Sequence, residues 1–240
     1  MKMTKADWLA AIGMSAEEVP EKIILEGTWW SKDRYPVRLE YLTNVRELKF
    51  PDMYLGEYKG DKVMFCCAYG ASRVVEPIHI FGILGTKKVI QIGSCGGLQP
   101  NVITGDIVIP STSIIGEGAS QYYGHSIESI ASPDLLDKAN HQLISRHLTT
   151  HLGSHISTSA LLQQSDKQIR EWKQKGLLGV DMETSAVYSA ATYFNMKRVS
   201  MLFVWDELLK NRTWLDEFSV TEKIRQTEAN LAIFEVALQL

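Results

Sequence analysis

Residues 89–97 read Val-Ile-Gln-Ile-Gly-Ser-Cys-Gly-Gly, an apolar run held between Lys87-Lys88 and a group of glycines. Val89 to Ile92 has the composition of a buried strand, and a strand of that kind belongs to a sheet covered by helices. The glycines behind it predict a tight turn at the carboxyl end of the strand. There Ser94 and exposed backbone amides can approach an anion or a sugar hydroxyl. Sheets of this class bind ligands at such strand ends, although a plain connection carries the same signature.

The rest of the chain alternates in the same way. Lys22 to Leu25 reads as a short strand ending at Gly27, and Tyr54–Tyr58 with Val63–Tyr69 reads as a hairpin turning at Lys59-Gly60-Asp61. Val74 to Leu84 has helical spacing and stops at Gly85, and Asp106–Ile109 reads as a strand. Ser132-Pro133-Asp134 opens a helix whose apolar positions run from Leu135 to Leu148. Val180 leads into a helix with Met182, Ala186, Val187, Ala190 and Phe194 on one stripe, and Val199–Val204 is a buried strand. Thr4, Ser15 and Ser219 each resemble helix starts, the last two with a glutamate three residues on. Residues 28–45 carry no clear signal. The expected fold is α/β: a single three-layer domain over 1–240, with a central mixed sheet flanked by helices and residues 1–20 as an N-terminal helical extension.

The 240 residues suffice for a full core, and a net charge of −3 with scattered basic residues argues against a nucleic-acid partner. No apolar stretch is long enough to span a bilayer, and Met1 to Lys5 lacks a signal-peptide core, so a cytoplasmic protein without membrane contact is expected. The cysteines are Cys66, Cys67 and Cys95; their spacing fits neither a disulfide framework nor a metal site.

Four groups are candidates for chemistry. Asp181 and Glu183 flank Met182 at a helix entrance, where acids also serve simply to complement the helix dipole. Asp206 follows the strand Met201–Trp205, a position suited equally to catalysis and to capping. Arg34, Arg38, Arg46 and Arg73 lie before and between the early strands, and single arginines are most often solvated. Tyr122-Tyr123-Gly124-His125 is either a lid or an ordinary exposed loop. Several familiar motifs are absent. Ile92 stands where a nucleophile elbow needs glycine, Cys95 lacks a papain-like context, and Gly116-Glu117-Gly118 has no third glycine for a dinucleotide fingerprint. No organic cofactor or metal is expected.

Taken together, Gly93-Ser94-Cys95-Gly96-Gly97, Gly105-Asp106-Ile107-Val108, Gly179-Val180-Asp181-Met182-Glu183 and Val204-Trp205-Asp206 resemble the nucleoside phosphorylase family. That family includes purine nucleoside phosphorylases, uridine phosphorylases and the methylthioadenosine/S-adenosylhomocysteine nucleosidases, and the resemblance runs from about Ile23 to the final helix. It implies cleavage of an N-glycosidic bond through a ribosyl cation, with inorganic phosphate as co-substrate. Such chemistry needs acceptors on the ribose hydroxyls and a proton donor for the departing base. The resemblance implies Glu183 and Met182 at the ribose, Asp206 as the acid, and Thr158, Leu161, Val180 and Trp205 around a purine-type base. It also implies Gly27, Arg46, Gln91 and Ser94 around phosphate or another nucleophile. Arg46 would be contributed across an interface of a homo-oligomer, dimer or hexamer.

The departures leave the nucleophile open. Gln91 stands where phosphorolytic members carry an arginine, and the loop from Gly27 to Arg34 lacks the usual Gly-Asp-Pro pattern. Losing one charge-assisted contact weakens anion binding by about 1.5–3 kcal/mol. Phosphorolysis with Arg34 or Arg73 as a substitute is the first reading. Hydrolysis, with Asp33 as the carboxylate nearest the family's water-activating position, is the second. A nucleoside-binding protein without turnover is the third.

Overall fold

The computed structural model describes residues 3–210 and 215–240; Met1 and Lys2 of the N-terminal reading lie outside them. The strands are β1 (Lys22–Gly27), β2 (Thr43–Glu47), β3 (Met53–Tyr58), β4 (Asp61–Cys67), β5 (Lys88–Gly97), β6 (Ile107–Gly116), β7 (Glu128–Ile130), β8 (Thr150–Thr158), β9 (Gly179–Asp181) and β10 (Lys197–Glu207). The helices are α1 (Lys5–Ile12), α2 (Ser31–Leu39), α3 (Ala71–Leu84), α4 (Pro133–Ile144), α5 (Asp166–Gln174), α6 (Thr184–Tyr193) and α7 (Val220–Gln239). Among the described residues the strands form one mixed sheet, in the order β10-β6-β8-β9-β5-β1-β4-β3-β2 with β7 beside β6. Because β10 also pairs with β5, strands β5, β9, β8, β6 and β10 close into a ring, and β1, β4, β3 and β2 extend from it as an open wing.

The period of two along the central strands divides the core. Ile23 and Leu25 of β1, Met64 and Cys66 of β4 and Val89 of β5 face α1, α3 and α6. Ile24, Val63, Phe65, Ile90, Ile92, Val199 and Met201 face α4 and α7. Strand β1 runs parallel to both β4 and β5, so it is covered on both faces. The α/β fold with a central mixed sheet flanked by helices is therefore the one expected.

Three local readings change. The glycines after Ile92 do not turn: β5 continues through Gly97, paired to β10 from Leu202↔Gly93 to Glu207↔Gly97 and to β9 at Gly96↔Val180. Gly97 is needed for close approach, since a Cβ there would lie 2.8 Å from the carbonyl of Val102. Residues 28–45 contain α2, a polar helix with Pro36 inside it. Helix α4 ends at Ile144, short of Leu148, and its Ser132 cap accepts no helix N–H; the hydroxyl instead accepts from the backbone of Arg198.

Candidate active site

The carboxyl ends of β1, β5 and β9 open into a cleft of about 270 Å³, joined by β10 and roofed by the loop after β1. Position along β1 decides which groups enter it. Glu26 lies on the same face as Ile24, toward α2 and α7, and is buried. Arg38 of α2 donates to it twice, Nε to Oε2 at 2.8 Å and Nη2 to Oε1 at 3.1 Å, while Arg38 itself is held by Asn230 of α7. Arg34, one turn earlier on α2, borders the cleft with its Nε 3.3 Å from Glu26 Oε1. That Nε makes no well-directed hydrogen bond, whereas Arg38 is engaged through both Nε and Nη2.

Glu183 stands at the N-cap of α6 and is also buried. Its Oε1 accepts the Gly70 N–H at 2.6 Å and its Oε2 the Met182 N–H at 3.3 Å. Gly27 makes room for it, because a Cβ on that residue would sit 2.8 Å from Oε2. Burial, together with the charge of Asp181, pushes the Glu183 carboxyl up to about 8. Met182 is held by the Tyr69 hydroxyl, which donates to its sulfur at 2.9 Å.

Asp181 has a different role from Glu183. Its Oδ2 accepts the Thr184 N–H and hydroxyl at 2.9 and 2.6 Å, which caps α6, and its Oδ1 accepts from Ser157 at 2.6 Å. His155 Nε2 stands 3.1 Å from Oδ1. Burial opposes ionisation here, but His155, Ser157 and Thr184 outweigh it and hold the carboxyl below its ordinary value. Gln91 belongs to this support: it is fully buried, donates to Asp181 Oδ2 at 3.0 Å and accepts from Ser200 at 2.6 Å. It does not border the cleft, so the substitution at this position leaves a buried strut and not an uncharged anion ligand.

The far wall depends on an irregularity in β10. Val204 pairs with Cys95 and Asp206 with Gly96, so Trp205 is an extra residue in the ladder. Consecutive strand residues normally face opposite ways, but this bulge lets Trp205 and Asp206 both line the cleft. Asp206 is buried, with Oδ1 placed 3.4 Å from where a Cβ on Gly96 would be.

Of the residues singled out in the sequence, Gly27, Ser94, Met182 and Glu183 line the cleft, as do Val180, Leu161, Trp205 and Asp206. Thr158 is buried at the end of β8 and does not line it. Arg46 lies on the edge strand β2 and pairs with Glu18 at 2.7 Å, outside the cleft of its own chain. Arg73 is engaged by Glu76 and the carbonyl of Pro51, and Asp33 does not reach the cleft. In the Tyr122–His125 segment, Tyr122 is exposed and Tyr123 packs on His79 and Phe194, away from the site. Cys95 borders the cleft, but burial pushes its thiol well up, which disfavours the thiolate a nucleophile requires. Sequence reading missed Glu26, Tyr69 and Asn230. Only Glu26 carried a signal, a carboxylate inside the run Ile23–Leu25 and Gly27.

A family model described as the phosphorylase superfamily matches residues 31–237. The chain belongs to that superfamily. Among curated relatives it is 28% identical over 183 residues to the purine nucleoside phosphorylase DeoD-type 2 of Vibrio cholerae, covering 72% of this chain and 75% of that one. It is 25% identical over 244 residues to the purine nucleoside phosphorylase DeoD-type of Clostridium novyi, covering 95% and 97%. Among solved structures, uridine phosphorylase from Vibrio fischeri ES114 superposes with a TM-score of 0.81 at 23% identity, over 94% of this chain and 93% of that one. This likeness is one of fold, and the superfamily match covers every element that builds the cleft except β1 and the loop that follows it.

Proposed function

We propose that this phosphorylase-superfamily chain cleaves the N-glycosidic bond of a purine-type nucleoside by phosphorolysis, releasing the base and ribose 1-phosphate. The observation that carries the reading is a single cleft lined by Glu183, Asp206 and the incompletely bonded Arg34. Glu183, held by two backbone N–H groups, accepts the ribose 2′ and 3′ hydroxyls and sets negative charge beside the developing ribosyl cation. Met182, fixed by Tyr69, packs against the sugar. Asp206 donates the proton that neutralises the departing base, with Trp205, Val180 and Leu161 around it. Arg34 and Ser94 hold phosphate, and similarity to purine nucleoside phosphorylases such as those of Vibrio cholerae and Clostridium novyi supports a purine over a pyrimidine.

Arg34→Ala tests the anion role. It should raise the KM for phosphate by about tenfold or more, with a smaller change in the KM for nucleoside. An unaltered phosphate KM would remove Arg34 from the mechanism.

The pH dependence follows from Glu183. The carboxylate is the form that accepts two hydroxyls, so ionisation of Glu183 should give kcat/KM a limb that rises as pH is raised toward about 8. Asp181→Asn removes the neighbouring negative charge, favours ionised Glu183 and should move that limb to lower pH. A limb that stays in place in the variant would mean that another group governs it.

A second reading, hydrolysis, is favoured by one observation: the Glu26 carboxylate borders the same cleft and is able to order an attacking water. The products separate the two, ribose 1-phosphate against free ribose. In either case the partners are small molecules, and a homo-oligomer carrying Arg46 to a neighbouring cleft is part of the proposal.

A further inference from the structure

The end of the cleft assigned to the co-substrate contains a group that a simple anion site does not need. Glu26 is 1% exposed and sits beside the Arg34 guanidinium, whose buried Nε makes no well-directed hydrogen bond. Arg38 occupies one face of the carboxylate through both oxygens, and Asn230 fixes Arg38, so the pair is a permanent part of the wall. With Arg34 included, two positive charges face one negative charge, and the end as a whole favours an anion. An ionised carboxylate has about four acceptor sites and can only accept. The Arg38 bonds and the Arg34 contact leave one of those sites unfilled on Oε2.

Resting on the phosphorolysis reading, we propose that Glu26 makes this a receptor for a protonated oxyanion, one that offers negative charge to Arg34 and an O–H to the carboxylate. Phosphate at neutral pH retains at least one proton and meets both demands. Sulfate is fully ionised, presents only acceptors, and sets a lone pair and a negative charge against Glu26. Selection thus comes from a repulsive element added to an attractive one, and it acts on two anions of nearly the same size and shape. Arsenate, which also keeps a proton at neutral pH, is accepted with phosphate.

The experiment is calorimetric titration of the full chain with sodium phosphate, arsenate and sulfate at matched ionic strength and neutral pH, alongside each anion's effect on base release. Phosphate and arsenate should bind, and sulfate should bind at least about tenfold more weakly and fail to compete. In Glu26→Gln the carboxamide offers a donor and no charge, and sulfate should then compete with phosphate to within about threefold. Sulfate binding to the unaltered chain as tightly as phosphate overturns the inference and leaves phosphorolysis standing, and this arm does not depend on the variant folding. A folded Glu26→Gln that still refuses sulfate also overturns it. If no anion binds and base release proceeds equally without phosphate, the phosphorolysis reading fails and the inference fails with it.

Discussion

Asp206→Asn is expected to lower kcat for purine release by about 10²- to 10⁴-fold, the usual contribution of a positioned general acid. Asparagine has nearly the same shape and suits the same buried position, so the thermal transition should hardly move. What it lacks is the transferable proton. The bulge at Trp205 is what turns the Asp206 side chain into the cleft, and Gly96 leaves room beside its carboxyl. A nucleoside whose base departs without protonation should be affected far less, and that dependence on the leaving group separates an acid from a merely structural aspartate. Unchanged turnover across purine nucleosides in a folded Asp206→Asn protein would remove the residue from the reaction.

Arg38→Met is the second large effect, and it falls on stability. Arg38 is 1% exposed, lies over the ring of Phe234 with its guanidinium carbon 4.6 Å from the centroid, and holds Glu26 through two hydrogen bonds. Methionine keeps much of the packing but leaves the Glu26 charge buried with only the loose Arg34 contact. Breaking a buried pair from one side costs about 3–5 kcal/mol, and the urea midpoint should fall accordingly with the slope preserved. Replacing both residues, in Arg38→Met with Glu26→Leu, should recover most of the loss, because no carboxylate is then left buried without its partner, and the partly exposed Arg34 is the one charge released. A single variant as stable as the parent would mean that water or a rearranged Arg34 already compensates the carboxylate.

Sequence reading was most reliable where a local pattern is sufficient. The hairpin at Lys59–Asp61, the Ser219 capping box and the strand–helix entrance at 179–184 are set by neighbours in the chain, and all appear in the fold. It failed where a distant partner decides. The glycines of 93–97 resemble a turn in isolation, and only the arrival of β9 and β10 on either side makes them a paired strand. Gln91 was read as an anion ligand from its place in a motif, yet its face of β5 points at Asp181 and Ser200, ninety and more residues away. Glu26 was hidden by an otherwise apolar strand, since its partners Arg38 and Asn230 come from two helices with no shared motif. Helix α2 was hidden by its own polarity and by Pro36. The bulge at Trp205 has no periodicity to detect, although it puts two adjacent side chains in the site.

The most direct test of the central claim is product analysis of purine nucleosides incubated with the protein, with and without inorganic phosphate, following free base and phosphorus-containing sugar together. The predicted result is base released only when phosphate is present, with one ribose 1-phosphate formed for each base. Free ribose at the same rate in phosphate-free buffer would contradict phosphorolysis, and no base from any purine nucleoside under either condition would contradict glycosidic cleavage altogether.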